Sequence, residues 1–320
     1  MKALTFSVFG GPEVLIYKDV PDPVLKQNGI LLKMEFIGLN FADTYRRRGN
    51  YHLVGQPPYI AGYEGAGTVV DANGHPEFEV GDRVAFADVP LANAELVAVP
   101  CTHAIKLPVG ISFETAASVL LQGLTAQYLA ADSHAVKEGE TVLIHAAAGG
   151  VGQLLIQICK MKGAKVIGLT TAEEKRSVIL EAGADAAFNL GSDWKKEVLQ
   201  FTGGNGADVV YDSVGSTLTD SLEIARIGGH VVFYGMSGGD PAPVDPRVLM
   251  DTSKTLSGGD LWSYLTSEKE RAVRAKQLFD WIITGEIKLK APVIFSLAEG
   301  RHAHEYLESG KSAGKVLMIP

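Results

Sequence analysis

Residues 141–152 read TVLIHAAAGGVG, and this stretch decides the fold of the second half of the chain. An apolar run typical of a buried strand leads directly into a cluster of glycines, and a helical pattern follows. That order matches the strand–turn–helix fingerprint of dinucleotide-binding proteins, whose three glycine places fall on Ala147, Gly149 and Gly152. The alternative is a tight β–α turn that binds no ligand.

Each position of this turn has a physical task if a dinucleotide binds there. Gly149 lets the backbone approach the pyrophosphate, and Gly152 lets the helix pack closely on the sheet. The backbone N–H groups of Gly150 and Val151, at the start of the helix, face the phosphates with the help of the helix dipole. The segment therefore predicts a pyrophosphate site.

The pattern on either side of this turn extends the prediction to a whole domain. Apolar strands alternate with amphipathic helices, which is typical of a parallel, doubly wound sheet. Strands are expected at 141–146, 165–169, 186–189, 208–213 and 230–235, and helices at 152–162, 172–182, 194–201 and 218–226.

The first 110 residues have a different pattern. Short strands are expected at 1–8, 29–38, 64–71 and 82–87, separated by Gly and Pro, which indicates an irregular β-barrel or sandwich. Ser112 is a candidate N-cap for a long apolar helix over 113–131.

The tail of the chain resembles the first part again. A helix over 267–284, strands at 290–295 and 315–319 and a helix over 297–309 are expected, and the strands could return to the first domain. We therefore expect a strand-rich domain of residues 1–120 and 266–320, interrupted by a nucleotide-binding domain of residues 121–265.

The strand after the glycine turn distinguishes between two cofactors. An NAD site places Asp or Glu at the end of this strand to bind the ribose hydroxyls. Here the strand ends on Thr170 and Thr171, and Lys175 and Arg176 follow. Hydroxyl groups and cations suit a 2′-phosphate, so NADPH is favoured over NADH. The alternative is that both cations belong to an ordinary solvated helix face.

Composition excludes several classes of protein. The net charge of −8 disfavours general nucleic-acid binding. The basic run of residues 46–48 is interpreted as a solvated helix face, and the alternative is a patch for phosphate groups. The two cysteines, Cys101 and Cys159, are far apart and predict neither disulfides nor a structural zinc lobe. There is no signal-peptide pattern and no apolar run of membrane-spanning length, so we expect a cytoplasmic protein without membrane contact.

Several segments together resemble one known family. HAAAGGVG (145–152), GLNFADTYRRRGNY (38–51), GLT (123–125), VVYDSVG (209–215) and the ending AGKVLMIP are similar to the zeta-crystallin-like quinone oxidoreductase branch of the zinc-free medium-chain dehydrogenase/reductase superfamily. The resemblance covers the whole chain. It implies a Rossmann doubly wound parallel sheet inserted in a GroES-like β-barrel catalytic domain, with a cleft between them, NADPH as the hydride donor and a homodimer or tetramer, of which we expect the homodimer.

The resemblance also implies roles for individual residues. Asn40, Asp43 and Tyr51 would face the substrate and are the catalytic candidates, although each has a structural alternative: a turn residue, a helix N-terminal carboxylate and a packed aromatic side chain. Phe41 and Tyr45 would flank the nicotinamide. The rest of the nucleotide would be lined by Tyr128, Gly149, Gly150, Val151, Gly152, Thr171, Lys175, Val214, Ser237, Leu261, Trp262 and Ser263.

The same comparison bears on metals. Zinc alcohol dehydrogenases of the superfamily have Cys in the place of Asn40 and Gly-His-Glu in the place of residues 62–64, which read GYE here. Asn40 cannot supply a thiolate and Tyr63 cannot supply an imidazole, so no metal is expected. Without a Lewis acid, the acceptor must take hydride readily, as a quinone or a conjugated enone does.

Two positions differ from the residues that are common in the family. Leu190 stands where members often have Tyr, and Gly310 stands where Arg is common, with Lys311 as a substitute for the phosphate contact.

His145 is expected to be packed and hydrogen-bonded rather than catalytic. His302 and His304 are expected to be solvated.

The sequence therefore predicts a metal-free NADPH:quinone oxidoreductase. One alternative is an NADPH-dependent alkenal or enone reductase with the same fold and cofactor. A second alternative, from another class, is a non-catalytic NADPH-responsive or RNA-binding protein, which the acidic charge disfavours.

Overall fold

The computed structural model describes all 320 residues, which form two compact units. One unit comprises Met1–Leu121 and Leu265–Pro320, and the other comprises Gln122–Tyr264. These bounds differ by one residue at each junction from the domain bounds expected from sequence. No helix has both the length and the apolar composition needed to cross a bilayer.

The first part of the chain is built mainly from strands. They are β1 (Lys2–Phe6), β2 (Ile16–Asp19), β3 (Gly29–Leu39), β4 (Tyr59–Ile60), β5 (Glu64–Asp71), β6 (Arg83–Ala87), β7 (Leu96–Pro100) and β8 (Ile105–Lys106), with helix α1 (Phe41–Arg47) after β3. Strands β2, β1 and β4 form a small antiparallel sheet. The long strand β3 pairs with both β5 and β7, so it lies at the centre of the larger sheet.

The second unit is a parallel sheet covered by helices. Helix α2 (Phe113–Tyr128) precedes it and begins at the cap Ser112, whose Oγ accepts a hydrogen bond from Thr115 N. The strands are β9 (Thr141–Ile144), β10 (Lys165–Thr170), β11 (Ala186–Asn189), β12 (Ala207–Asp212), β13 (Ala225–Phe233) and β14 (Thr255–Gly258). The helices are α3 (Gly150–Met161), α4 (Arg176–Glu181), α5 (Trp194–Phe201), α6 (Leu218–Ile224), α7 (Pro246–Thr252) and α8 (Leu261–Tyr264).

The strand order of this sheet is β11-β10-β9-β12-β13-β14, and every pair in it is parallel. Strand order reverses between β9 and β12, and ligands of such sheets bind outside the carboxyl ends of the strands at this reversal. The predicted doubly wound α/β fold is therefore confirmed. The loops after β9 and β12 become the places to look for a site.

The tail returns to the first unit, as its sequence pattern predicts. It consists of α9 (Glu268–Ile283), β15 (Val293–Ser296), α10 (Gly300–Glu308) and β16 (Val316–Ile319). Strand β16 pairs with both β15 and β3 and completes a seven-stranded sheet. Leu297, Leu307 and Val316 join the apolar core of that unit, which explains why the tail needs the first part of the chain to bury its apolar side chains.

Three elements near the end of the second unit were not expected from sequence. Helix α7 has no buried residue, so it lacks the apolar periodicity that marks a helix, although Asp245 caps it and Pro246 occupies its first turn. Strand β14 and helix α8 are only four residues long. The expected helix over 218–226 ends at Ile224, because β13 begins at Ala225.

Candidate active site

The turn between β9 and α3 exposes backbone N–H groups. Ala146 has a positive φ of 48°, Gly149 is extended, and helix α3 begins at Gly150 without a side-chain cap. The first N–H groups of a helix have no acceptor within the helix, and the dipole places partial positive charge there. This arrangement suits a phosphate group.

Close packing at Gly152 explains why this position is a glycine. A Cβ atom built at Gly152 would lie 2.6 Å from the backbone Cα and O of Ala147, which cannot move aside without displacing the turn. At Gly150 the obstacle would be the Gln122 side chain, at 1.9 Å, which is flexible. The helix therefore packs on the turn more closely at Gly152 than any side chain would allow.

The loop after β12 lies at the same edge of the sheet, because β12 and β9 are adjacent parallel strands with Tyr211 beside Ile144. The Asp212 carboxylate accepts hydrogen bonds from the backbone N–H of Val214 (2.8 Å) and of Gly215 (3.0 Å). These bonds fix the loop that carries the candidate Val214.

The candidate Ser237 lies beside the same loop. The Ser237 backbone N–H and its hydroxyl both donate to the Ser213 carbonyl at 3.0 Å. The following amide, of Gly238, donates to the Val214 carbonyl at 2.9 Å. The segment after β13 is therefore tied to the loop after β12.

A buried hydrogen-bond chain supports Asp212 from below. Its Oδ2 accepts from the Ser221 hydroxyl at 2.6 Å, and Ser221 contacts His145 Nε2 at 3.0 Å. Burial lowers the pKa of His145. Burial raises the pKa of Asp212, but His145, the Ser221 hydroxyl and the two loop amides together hold it below its usual value. His145 is packed and hydrogen-bonded, as predicted.

The cations expected near a 2′-phosphate are not equivalent. Arg176 donates from Nε to the Ala187 carbonyl at 2.9 Å and forms an ion pair with Glu173 at 2.5 Å. Glu173 also accepts from Asn189 at 3.4 Å. Lys175 is partly buried, and burial lowers its pKa. Arg176 is therefore engaged with protein groups at the end of β10.

Aromatic side chains line another part of this unit. The candidate Tyr128 is buried and stacks on Tyr264, with ring centroids 4.5 Å apart and an interplanar angle of 14°. The Tyr264 hydroxyl lies 3.2 Å from that of Ser133. Tyr264 was not predicted from the sequence, because a single tyrosine at the end of a four-residue helix carries no signal for a stacking partner.

The remaining candidates of this unit lie on or beside short elements. On helix α8, Leu261 is buried, Trp262 is half-buried and Ser263 is exposed. The backbone N–H of Trp262 donates to the Asp260 carboxylate at 3.2 Å. Thr171 is exposed directly after β10.

In the other unit, helix α1 carries the substrate-side candidates. Asn40 is its N-cap, and the Asp43 carboxylate accepts a hydrogen bond from Asn40 N at 2.9 Å, so the two residues form a capping box. Both are buried. Burial raises the pKa of Asp43, although Arg46 and the Asn40 amide oppose this. The structural alternative considered for Asp43, a helix N-terminal carboxylate, describes its contacts.

The Asn40 side chain belongs to a second buried cluster. Its Nδ2 donates to Glu64 at 2.8 Å, and its Oδ1 accepts from the Lys315 ammonium at 2.9 Å. Lys315 also forms an ion pair with Glu64 at 2.5 Å, and the other Glu64 oxygen accepts from Leu121 N at 2.7 Å. Sequence reasoning missed Glu64 and Lys315; the signal was a charged residue at the start of each of two apolar strands, GYEGAG and AGKVLM.

The interpretation of residues 46–48 as a solvated face is wrong for two of the three. Arg46 is 3% exposed and Arg47 is fully buried, whereas Arg48 is exposed. Arg47 bonds the Gly10 carbonyl, His304 Nδ1 and Glu308. The short helix α1 is covered on that side by α10, which a local pattern cannot reveal.

The prediction for His304 is wrong for the same reason. His304 is fully buried, and Arg47 donates a hydrogen bond to its Nδ1 at 2.8 Å. Burial and the charge of Arg47 together lower the pKa of His304 to about 3. His302 is exposed, as predicted.

The other candidates of this unit surround the end of α1. Tyr45 and Tyr51 are half-buried, with their rings edge-to-face and their centroids 6.4 Å apart. Phe41 is half-buried and packs against the apolar core. Asn40, Asp43, Tyr45 and Tyr51 therefore belong to one local assembly, formed by α1 and the loop after it.

Comparisons with known proteins agree with this architecture. Residues 26–140 match the alcohol dehydrogenase GroES-like domain, and residues 150–276 match the family described as zinc-binding dehydrogenase. No group of three or more His, Cys, Asp or Glu side chains in the chain is arranged to hold a metal ion.

Individual relatives cover the whole chain. A quinone oxidoreductase of Pseudomonas aeruginosa is 36% identical, covering 100% of this chain and 99% of the relative. A 2-haloacrylate reductase of a Burkholderia species is 35% identical, covering 97% of this chain and 96% of the relative. The structure of Escherichia coli quinone oxidoreductase complexed with NADPH superimposes with a TM-score of 0.95 at 35% identity, covering all of both chains. The chain belongs to the quinone oxidoreductase branch of the medium-chain dehydrogenase/reductase superfamily.

Proposed function

We propose that the protein is an NADPH:quinone oxidoreductase that transfers hydride from NADPH to a quinone without a metal. One observation carries the proposal: the uncapped first turn of α3 lies at the carboxyl edge of the parallel sheet, at the point where strand order reverses. A dinucleotide pyrophosphate binds at such a place. The named acceptors of the relatives supply the substrate class.

The residues present fit this cofactor. The amides of Gly150, Val151 and Gly152 would hold the pyrophosphate, and the close packing at Gly152 keeps their helix against the turn. Thr171 and Lys175 would contact the 2′-phosphate, as the family resemblance implies. Arg176 is held by Glu173 and Ala187. Strand β10 ends on Thr170, and Thr171 follows at the place where an NAD site has a carboxylate.

The other candidate contacts are proposed for the rest of the nucleotide and, for Phe41 and Tyr45, for its nicotinamide ring. Val214 and Ser237 lie on the two loops joined by hydrogen bonds at the sheet edge. Tyr128 and the helix residues Leu261, Trp262 and Ser263 would complete the pocket of that unit, and Phe41 and Tyr45 would flank the ring from α1.

When bound, NADPH supplies a hydride, and the chain's own residues orient the acceptor and stabilise the charge that develops on its oxygen. Tyr51 would donate a hydrogen bond to this oxyanion. Asn40 is proposed as a positioning residue, because its amide is bonded to Glu64 and Lys315. Asp43 would hold the start of α1.

The side chains at the two positions compared with the zinc relatives do not suit a zinc ion. Asn40 and Tyr63 offer an amide and a phenol in the places where zinc relatives have a thiolate and an imidazole. The cation that does contact Asn40 and Glu64 is the Lys315 ammonium. An acceptor that takes hydride without Lewis-acid help is therefore required.

A second candidate function is the reduction of a conjugated double bond. The 2-haloacrylate reductase at 35% identity favours it, because its named substrate is an activated alkene. The fold and the cofactor site are the same in both cases, so the acceptor decides between them.

The test is the oxidation of NADPH and NADH with 1,4-naphthoquinone, a 2-alkenal and 2-chloroacrylate. Rapid NADPH use with the quinone and little with the alkenes supports the proposal, and the reverse preference assigns double-bond reduction. Tight NADPH binding without turnover of any acceptor would instead indicate a regulatory protein.

Tyr51→Phe tests the proposed oxyanion contact. We expect kcat for the quinone to fall by roughly 10- to 100-fold, since a directed donor to the developing charge is lost, with the Kd for NADPH unchanged. Tyr59→Phe is the matched control, because Tyr59 stacks on Phe9 in the small sheet. Equal kinetics for the two variants would remove Tyr51 from the reaction.

We also propose that the protein is a cytoplasmic homodimer, as the family resemblance implies. Size-exclusion chromatography with light scattering, with and without NADPH, measures the mass directly. A mass of one chain under both conditions would contradict the dimer.

A further inference from the structure

Arg46 is buried between two tyrosine rings beside the proposed oxyanion donor. Its guanidinium carbon lies 3.5 Å from the Tyr63 ring centroid and 5.0 Å from that of Tyr51. The Nε atom donates to the His52 carbonyl at 3.0 Å, directly after Tyr51. One side chain thus fastens the start of the loop after α1 to the start of β5.

The chemistry of this contact is specific to arginine. A planar guanidinium can stack on one ring, reach a second ring and still donate in its own plane, whereas an ammonium group is a compact point charge. The Tyr63 ring gives the guanidinium a buried wall, since Tyr63 is 5% exposed. The loop itself has exposed residues from His52 to Pro58 except for Leu53, so little else packs on it.

Arg46 is also the ion-pair partner of a buried acid. Its NH1 lies 3.3 Å from Asp43 Oδ1, and both side chains are almost completely buried. The other Asp43 oxygen accepts from Asn40 N and so caps α1. The remaining charged groups that face Asp43 are Lys315 on the side of β16 and Glu64 on β5, which act in opposite directions.

We propose that Arg46 is a positioning residue of the reductase, which holds the Tyr51–His52 segment against Tyr63 and pairs with Asp43 at the start of α1. This inference rests on the proposed function only where it concerns turnover. Its two parts follow from different contacts, the stacking on two rings and the ion pair, and can be separated by substitution.

The two parts predict different kinetic changes. Arg46→Lys keeps the charge but loses the planar stacking, so we expect kcat for the quinone to fall about 10-fold, because the oxyanion donor Tyr51 is less well placed, with the pH profile unchanged. Arg46→Met loses both contacts. We then expect the acidic limb of kcat/KM to move to higher pH, because Asp43 has lost the cation that lowers its pKa. In the double variant Asp43→Asn, Arg46→Met the shifted limb should disappear, since no acid remains there.

The matched control is Arg48→Met, which changes the exposed arginine two positions away that pairs with Glu308. A purely structural role of Arg46 would lower the melting temperature and leave the pH profile and the ratio of KM to kcat as in the wild type. That result, or the same kinetics for Arg46→Met and Arg48→Met, would overturn the proposal.

A measurement without turnover separates this inference from the proposed function. Limited digestion with chymotrypsin reports the exposure of the Tyr51–His52 bond directly. We expect cleavage there to accelerate at least 10-fold in Arg46→Met and Arg46→Lys, but not in Arg48→Met. If the wild type reduces no quinone, the proposed function fails while this assay still decides whether Arg46 holds Tyr51; unchanged cleavage overturns the inference in either case.

Discussion

The buried pair of Arg47 and His304 makes the stability of the unit formed by Met1–Leu121 and Leu265–Pro320 depend on pH. His304 accepts a hydrogen bond from Arg47, and its pKa is lowered from 6.5 to about 3. In the unfolded chain the same imidazole binds a proton below pH 6.5, whereas in the folded protein it stays neutral. The unfolded state therefore binds more protons as the pH falls from 6.5 toward 3, and the free energy of unfolding decreases over that range.

The magnitude follows from the difference in pKa. Each pH unit within this window removes about 1.4 kcal/mol, so between about pH 7.5 and about pH 5 His304 lowers the free energy of unfolding by about 2 kcal/mol. His304→Gln keeps an acceptor for Arg47 but cannot be protonated. The variant should be less stable than the wild type at neutral pH because of poorer packing, and that difference should shrink by about 2 kcal/mol at about pH 5.

Tryptophan fluorescence can report on the relevant unit alone. Of the three tryptophans, Trp281 lies in the unit that contains His304, and Trp194 and Trp262 lie in the other. Urea unfolding of Trp194→Phe, Trp262→Phe protein, with and without His304→Gln, gives the free energies at each pH. Burial also lowers the pKa of His103, to about 4, so His103 likewise lowers the free energy of unfolding at acid pH. This contribution is the same in both proteins and cancels in the comparison.

The control is His302→Gln, which changes the exposed histidine on the same helix. This variant removes an imidazole from α10 without removing the hydrogen bond between Arg47 and His304. Parallel curves of free energy against pH for the wild type and His304→Gln would refute the reasoning, because they would mean that the buried ring titrates as it does in the unfolded chain.

Two further predictions concern the cofactor site and are measured by fluorescence titration with NADPH and NADH. Gly152→Ala should raise the Kd for NADPH by at least about 10-fold, because its Cβ would lie 2.6 Å from the backbone of Ala147; Gly258→Ala, which has nothing within 4 Å, is the control, and wild-type affinity for Gly152→Ala would contradict the packing argument. Lys175→Ala should raise the Kd for NADPH by about 10-fold and change the Kd for NADH little, since only NADPH carries the 2′-phosphate. An equal loss for both nucleotides would place the phosphate elsewhere.

The glycine turn could be predicted from sequence because its determinants are local. A buried strand, a turn that needs glycine and a helix without a cap follow one another within twelve residues, and each has its own sequence signal. The same holds for the alternating strands and helices of the second unit, whose periodicity depends only on which face is buried.

The environment of the arginine run could not be predicted in this way. Residues 46–48 are identical in type, yet their exposure ranges from complete burial to half-exposed. The difference comes from His304 and Glu308, more than 250 positions along the chain, and from Tyr63, directly before β5. No local pattern carries information about such partners.

The sequence by itself determined the class of fold, the place of the nucleotide turn and the side chains that exclude thiolate and imidazole ligands, since these depend on residue type and short-range order. Tertiary structure alone decided which charges are buried and which partners they meet: Asn40 with Lys315 and Glu64, and Arg46 with Asp43 and two tyrosines. The physical reason is that burying a charge costs free energy unless a partner is brought to it, and only the folded chain brings together residues that are far apart in sequence.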